Sequence, residues 1–238
     1  MRALVLLVAH NEAVNLPAVV AELRRVEPAL DVLVVDDASD DGTPALLATL
    51  GVRYLRLGQR LGVGGAVRAG LRYARRRGYE RVVRLDADGQ HPPRDIAALL
   101  EVLDGVDAVV GSRYVGASGY RTPPGRRLAQ RALASGLSLM AGRKVTDPTS
   151  GFWGFGPRAL ALLCEHHPTG YPEPELHLLL ARNRLAVREV GVAMRDRLGG
   201  RTTLTPPRVA LALARAALAM VVVPLRVRDV AGTGKAVR

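Results

Sequence analysis

An α/β fold with a Rossmann-like, mostly parallel central sheet flanked by helices is predicted by three features of the 238-residue chain. Short β-branched and leucine-rich runs alternate with longer stretches of helical period, acidic or glycine-rich segments follow several of the runs, and 48% hydrophobic residues allow a sizeable core. Strands alternating with helices imply parallel βαβ units. In open sheets of that kind ligands bind beyond the carboxyl ends of the strands. The polar segments at 9–12, 36–43 and 86–91 are therefore expected to line one crevice.

Each element has its own signal. Leu4 to Ala9 reads as a buried first strand; it resembles the start of a signal peptide only until His10-Asn11-Glu12, with no convincing cleavage site. Asn15 is placed to cap a helix from Leu16 to about Val26, with Pro17 where a first turn tolerates it. Asp31 to Val35 is a second strand, closed by the polar loop 36–43, and Pro44 to Leu50 a helix. Val52 to Leu57, the glycine-opened helix Gly62 to Arg77 and the strand Arg81 to Leu85 follow. A helix from about Arg94 to Leu103 leads to the strand Ala108 to Val110, and a glycine- and proline-rich loop at 116–125 to a long helix from about Arg126 to Ala141. The stretch Val145 to Phe155 reads as loop because of its Pro, Ser and Gly, although it carries the only tryptophan and both phenylalanines; a small core cluster would use them equally well. Glu173 and Glu175 precede a helical pattern from Leu176 to Arg184, Ala186 to Val192 is a late strand, and Arg195, Arg197 and Arg201 crowd a loop with Gly199-Gly200.

The last segment is of another kind. Val209 to Leu225 is mostly apolar, interrupted by Arg215 and Pro224, and somewhat shorter than the roughly 20 apolar residues that a span needs. Flanking Arg208, Arg226 and Arg228 suit an amphipathic helix lying on a membrane surface; docking on the domain suits it as well. Residues 1–205 are read as one domain, and 206–238 as an apolar and basic helix with a tail.

A net charge of +12 attracts anions, be they nucleic acid, acidic lipid or phosphorylated substrates. Aromatic residues make up 4% and no recognition-helix, zinc-finger or RNA-binding pattern occurs, which speaks against nucleic acid. The single Cys164 excludes an intramolecular disulfide, so a reducing cytoplasm is expected.

The chemistry centres on Arg84-Leu85-Asp86-Ala87-Asp88-Gly89-Gln90-His91. If the chain is still extended there, Asp86 and Asp88 point to one side. Two carboxylates so close repel, an arrangement that suits a hard divalent cation carrying a phosphate, with Gln90 adding an amide oxygen. A solvated turn has the same composition. Farther on, arginines at the start of the long helix and on the late loop suit phosphate.

Together the motifs resemble the family-2 glycosyltransferases of GT-A fold, and within them the dolichol-phosphate or polyprenyl-phosphate glycosyltransferases. The resemblance runs from about Leu4 to Thr203. It is carried by Ala9-His10-Asn11-Glu12, the Val-Val-Asp-Asp-x-Ser-x-Asp-Gly-Thr run at 34–43, Leu61 to Ala66 and Asp86 to His91. Gly111-Ser112-Arg113-Tyr114, Asp147 to Phe152 and the loop near Arg197 continue it. It implies a nucleotide-sugar site that includes Ala9, Asn11, Glu12, Asp36, Asp37, Gly62, Asp86 and Ala87, with Glu12 and Asp36-Asp37 on the base and ribose. Asp86, Asp88 and Gln90 would bind Mg²⁺ or Mn²⁺ on the diphosphate of GDP-mannose or a UDP-hexose. Asp88, Arg113, Arg126 and Arg197 would carry the transfer, the arginines holding the phosphate of a polyprenyl acceptor at the cytoplasmic face of a membrane. Inversion at the anomeric carbon is implied too.

Other readings remain. A hydroxyl acceptor needs a base, for which Asp147, Glu173 and Glu175 are candidates. A non-catalytic nucleotide-sugar binder would not need the intact Asp86, Asp88 and Gln90. A dinucleotide oxidoreductase is disfavoured, because Gly62-Val63-Gly64-Gly65-Ala66-Val67 lacks the third glycine of the fingerprint and follows the third strand rather than the first.

Overall fold

Strand β1 (Ala3–Ala9) sits at the centre of the first half, with β2 (Asp31–Asp36) parallel on one side and β4 (Arg81–Asp86) parallel on the other. In the computed structural model, which describes residues 1–116, 124–170, 172–197 and 199, the seven-stranded sheet has the order β3-β2-β1-β4-β6-β5-β7. β3 is Arg53–Arg56, β5 Ala108–Ser112, β6 Trp153–Phe155 and β7 Val187–Gly191. All neighbours run parallel except β6, which is antiparallel to both β4 and β5. The α/β expectation is therefore met.

Both faces of the sheet are covered, because the strand period of two divides each strand between two cores. Leu4, Leu6 and Val8 face α3 (Gly62–Arg76), α6 (Pro157–His166) and α7 (Pro172–Arg182). Val5, Leu7 and Ala9 face α1 (Leu16–Val26), α2 (Thr43–Thr49) and α4 (Ile96–Leu103). The long helix α5 (Pro124–Ala141) stands apart and is fastened through Leu133 and Leu137 to Val145 and Leu178. Each such leucine removed from water contributes about 1.5–3 kcal/mol.

Several boundaries differ from the sequence expectation. The stretch read as loop contains β6, and Phe152, Trp153 and Phe155 are all fully buried, so the aromatics are core. Three residues are too few to show a strand period, and β6 is held by partners about 45 and 70 residues away in sequence, beyond local pattern. Helix α6 had no predicted counterpart. Glu173 and Glu175 lie inside the first turn of α7 rather than before it, where carboxylates suit the positive helix end. Asn15 does not cap α1 with its side chain; its amide instead donates to Glu12 Oε2 at 2.6 Å. The expected helix at 209–225, Arg201 and the proposed boundary at 205 lie outside the described residues.

Candidate active site

The carboxyl ends of β1, β2, β4 and β5 open on one side of the sheet, and the first two present loops tied to each other. Ala9 accepts a hydrogen bond from the Asp37 amide at 2.8 Å, which sets the end of β1 against the end of β2. Asn11 turns the chain with φ 59° and exchanges two bonds with Asp40, donating from Nδ2 at 2.6 Å and accepting at Oδ1 from the Asp40 amide at 3.0 Å. Asp36 is fully buried; its Oδ1 accepts from the amide of Ser39 at 3.0 Å and from its hydroxyl at 2.5 Å. Its Oδ2 has no hydrogen-bond partner and lies 3.6 Å from Arg56 Nε. Ser39 and Arg56 also line an open cavity of about 360 Å³ at the ends of β2 and β3. Asp37 Oδ1 accepts from the Leu61 amide at 2.7 Å and so fixes the entry to α3, where Gly62 has φ 75°. A larger cavity, about 650 Å³ between α3 and α6, is lined by Arg72, Arg75, Arg76, Cys164 and Glu165 and shares no residue with this crevice.

The third loop carries the acidic motif. The strand ends at Asp86, and Asp88 lies in the turn after it, so the pair is not presented by an extended chain as the alternation argument assumed. It is presented by a built turn. Arg84, 1% exposed and on the same face of β4 by the period of two, donates from Nη2 to Asp86 Oδ1 and from Nη1 to Glu173 Oε1, each at 3.1 Å. The Asp86 amide donates to His91 Nδ1 at 3.2 Å, and the His91 ring stacks on Phe152 at 5.1 Å. Burial pushes the His91 imidazole down to about 4, which keeps it neutral as that bond requires. Burial acts to raise the Asp86 carboxyl, and the Arg84 guanidinium outweighs it, so the group stays ionised below the usual range. Asp88 has no such partner on its strand: burial, then the charge of Asp86, pushes its carboxyl up to about 6. Its Oδ1 accepts from the Gln90 amide at 3.0 Å. Gly151 packs so closely that a Cβ there would stand 2.5 Å from Asp86 Oδ2, and this backbone approach leaves that carboxylate room only as long as the residue is glycine.

This donor set fits a hard cation. The hydrogen bonds from Arg84 and from the Gln90 amide engage one oxygen of each carboxylate, which leaves Asp86 Oδ2 for an ion and Asp88 Oδ2 opposite Arg197 at 3.6 Å, where a cation would take the guanidinium's place. A small divalent cation bound by one or two carboxylates takes its other oxygens from water and phosphate. No group of three or more His, Cys, Asp or Glu arranged for a metal occurs among the described residues, so a metal would depend on the substrate for the rest of its shell. Gln90 joins the turn through its backbone: its amide binds Asp88 and its carbonyl accepts from the Arg195 amide at 3.1 Å.

Two of the three arginines expected to meet on an acceptor phosphate, Arg113 and Arg197, pair with carboxylates of the chain. Arg113, just beyond β5, closes its fork on the fully buried Asp147, Nε to Oδ2 at 2.7 Å and Nη2 to Oδ1 at 2.5 Å, and reaches Thr149 Oγ1 at 2.7 Å. Asp147 is set in turn by its loop, where Glu189 accepts from the Thr146 amide at 2.9 Å and from its hydroxyl. Arg197 pairs with Glu12 and stands 3.6 Å from Asp88 Oδ2, and its Nε donates to the Gly199 carbonyl at 2.8 Å. The late segment thus folds back over the acidic turn. Arg195 strengthens that fold through Glu22 and the Gly89 carbonyl, so its guanidinium is structural. Arg126 opens α5; its side chain lies outside the described residues.

Two candidate bases change meaning. Asp147 is locked by Arg113, and Glu173 by Arg84, so each serves as a counter-ion in this arrangement. Arg84 and His91 bound the stretch on which the sequence reading centres but are given no role there, and Glu189 is not singled out, although an arginine inside a buried strand, two residues before an aspartate on the same face, is a legible signal.

The family model described as Glycosyl transferase family 2 matches residues 4–162, about two-thirds of the chain and all three loops of the crevice. The chain belongs to this family. Family 2 relatives of known designation include a polyprenol monophosphomannose synthase of Mycolicibacterium smegmatis, 38% identical over 63% of this chain and 60% of its own length. Another is an undecaprenyl-phosphate mannosyltransferase of Micrococcus luteus, 39% identical over 64% of this chain and 65% of its own length. The chain thus spans somewhat less than two-thirds of these relatives. Among solved structures, glucosyl-3-phosphoglycerate synthase of Mycobacterium tuberculosis superposes with a TM-score of 0.71 at 22% identity, over 96% of this chain and 81% of that one. That likeness establishes the GT-A-like fold. Another structure of that synthase holds Mn²⁺, uridine diphosphate and phosphoglyceric acid.

Proposed function

We propose that this family 2 chain transfers a hexose, with mannose the first candidate, from a nucleoside diphosphate sugar to a polyprenyl phosphate, with inversion and with the help of Mg²⁺ or Mn²⁺. The observation that carries the reading is the combination of the Asp86–Asp88 turn with two candidate bases tied into ion pairs, Asp147 by Arg113 and Glu173 by Arg84. A sugar hydroxyl needs such a base to become a nucleophile. A phosphate monoester is already anionic and needs positioning instead. The relatives at 38% and 39% identity carry polyprenol or undecaprenyl phosphate in their designations, which supports the same choice.

On this reading an oxygen of the acceptor phosphate attacks the anomeric carbon as the bond to the diphosphate oxygen breaks, and the nucleoside diphosphate leaves with the electron pair. Asp86 and Asp88 would hold the cation, which when bound supplies positive charge to the departing diphosphate. Arg84 keeps Asp86 ionised and aimed. Arg197 pairs with Glu12, stands near Asp88, and would exchange those carboxylates for phosphate when substrates enter. Arg126 and the Arg113 loop complete the anion site. Both substrates meet at the cytoplasmic surface of a membrane.

The test is incubation of the full chain with GDP-mannose and a panel of UDP-hexoses, Mn²⁺ or Mg²⁺, and polyprenyl phosphate, with detection of a charged glycolipid. Transfer from GDP-mannose that stops in EDTA is the expected result. Transfer to sugar hydroxyls alone would overturn the acceptor assignment.

A further inference from the structure

The described residues leave one helix face uncovered. Along α5, Leu128, Ala132, Ser135 and Leu139 recur at intervals of four, three and four, so they share one stripe about 16 Å long. Leu128 is 70% and Leu139 86% exposed, whereas Leu133 and Leu137 on the opposite face are buried against Val145 and Leu178. Arg127 and Arg131 run along one flank of the stripe, both exposed, and no carboxylate among the described residues pairs with either. Residues 108–146 hold seven basic side chains and no acidic one. The helix is tied to the crevice, because the Tyr114 hydroxyl binds Gln130 Oε1 and Gln130 Nε2 donates to Thr149 Oγ1 at 3.3 Å, beside Arg113.

We infer that the Leu128–Leu139 face of α5 is a membrane-docking surface that seats on an anionic bilayer and presents the crevice at headgroup level. The inference rests on the lipid-phosphate reading, since a crevice at that depth serves an acceptor whose phosphate lies at the surface. Charge selects the occupant. A leucine stripe flanked by arginines buries its apolar side chains at the acyl boundary while the guanidinium groups meet acidic headgroups. A second copy of the same face would bring arginine against arginine. Segment 206–238 is itself basic, with Arg208, Arg215, Arg226, Arg228, Lys235 and Arg238 against Asp229 alone. Its basic side chains would likewise meet Arg127 and Arg131 with like charge.

The experiment uses the full chain and vesicles without acceptor, so its result does not depend on whether transfer to a lipid phosphate occurs. Sedimentation with vesicles of phosphatidylcholine, or of phosphatidylcholine with phosphatidylglycerol, is compared for the parent and for Leu128→Glu/Leu139→Glu. Both leucines are exposed, so an unchanged circular dichroism spectrum and melting temperature are expected. The expected result is binding to the anionic vesicles, weakened at least tenfold by the double substitution and reduced by salt. In parallel, Leu139→Trp is quenched by brominated lipid while the buried Trp153 is not. Binding that survives the double substitution, or an added tryptophan that stays unquenched on bound protein, would overturn the inference and leave segment 206–238 as the anchor. A dimer in vesicle-free solution that the double substitution converts to monomer would overturn it in favour of an interface between copies. The lipid-phosphate reading fails separately, if a short water-soluble polyprenyl phosphate accepts no sugar from the parent.

Discussion

Where β1 and β2 end, most carboxylates are fastened by neutral donors, Asp36 Oδ1 by Ser39, Asp37 by the Leu61 amide and Asp40 by Asn11. Among the described residues, guanidinium groups reach only Asp36 Oδ2 there, from Arg56 at 3.6 Å, and Glu12, from Arg197. Where β4 and β5 end carboxylates are fastened by guanidinium groups, Asp86 and Glu173 by Arg84, Asp147 by Arg113 and Asp88 by Arg197. The difference separates two tasks. Loops held by neutral hydrogen bonds keep their shape whatever charge enters, so under the proposed function they would form a fixed floor for the nucleotide. Carboxylates held by arginines belong to charge pairs, and a charge pair can exchange partners with a cation on one side and a phosphate on the other. Burial sets the limits of exchange: Arg84 and Arg113 are nearly inaccessible, whereas Arg197 keeps 25% of its side chain exposed.

The sharpest way to break this contrast is to remove the buried charge. Arg84→Met would leave Asp86 and Glu173 without a cation, and a loss of about 3 kcal/mol in urea unfolding is expected, the lower end of the scale for a broken buried pair because Asp86 keeps 35% of its side chain exposed. Adding Glu173→Gln to that variant should recover part of the loss; if it recovers none, Arg84 acts through packing alone. Asp88→Asn tests the exchangeable side and should lower donor turnover by at least ~10²-fold while the melting temperature holds. Turnover unchanged in that variant, or in EDTA, would remove the metal from this turn.

A smaller effect is expected at the arginines. Arg126→Lys and Arg197→Lys keep the charge and lose the fork, so acceptor KM should rise or kcat fall about tenfold, while nucleotide-sugar affinity by calorimetry stays within about threefold. Weakened donor binding with the acceptor spared would instead assign Arg197 permanently to Glu12 and Asp88. The last expected change concerns a buried histidine, His177. Burial, followed by the charge of Arg143, pushes His177 down to about 3, and its Nδ1 accepts from Arg143 at 2.6 Å. Such a group is neutral when folded and protonated when unfolded, so its contribution is full above pH 6.5 and drains as pH falls toward 3, at up to about 1.4 kcal/mol per pH unit. His177→Gln should therefore lose less stability than the parent between pH 6.5 and 5 in urea unfolding. Equal slopes would show that His177 does not set the acid sensitivity.

By itself the sequence determined the parallel half of the fold and the loops that end its strands. β1, β2 and β4 are apolar runs closed by polar residues, and α1 lies at Leu16–Val26 as its pattern predicts, because strand and helix periods are local properties. Glu12, Asp36, Asp37, Asp86 and Asp88 were legible for the same reason, being confined to segments of eight residues or fewer. Only the tertiary structure decided what those charges touch. Arg197 reaches Glu12 across 185 positions, Arg84 reaches Glu173 across 89, and β6 is a strand only because β4 and β5 accept it between them. An ion pair carries no periodicity in sequence, and a guanidinium on a long flexible stem takes whichever carboxylate the completed fold brings near, which is why arginines read as partners of a phosphate are found on Asp147 and on Glu12.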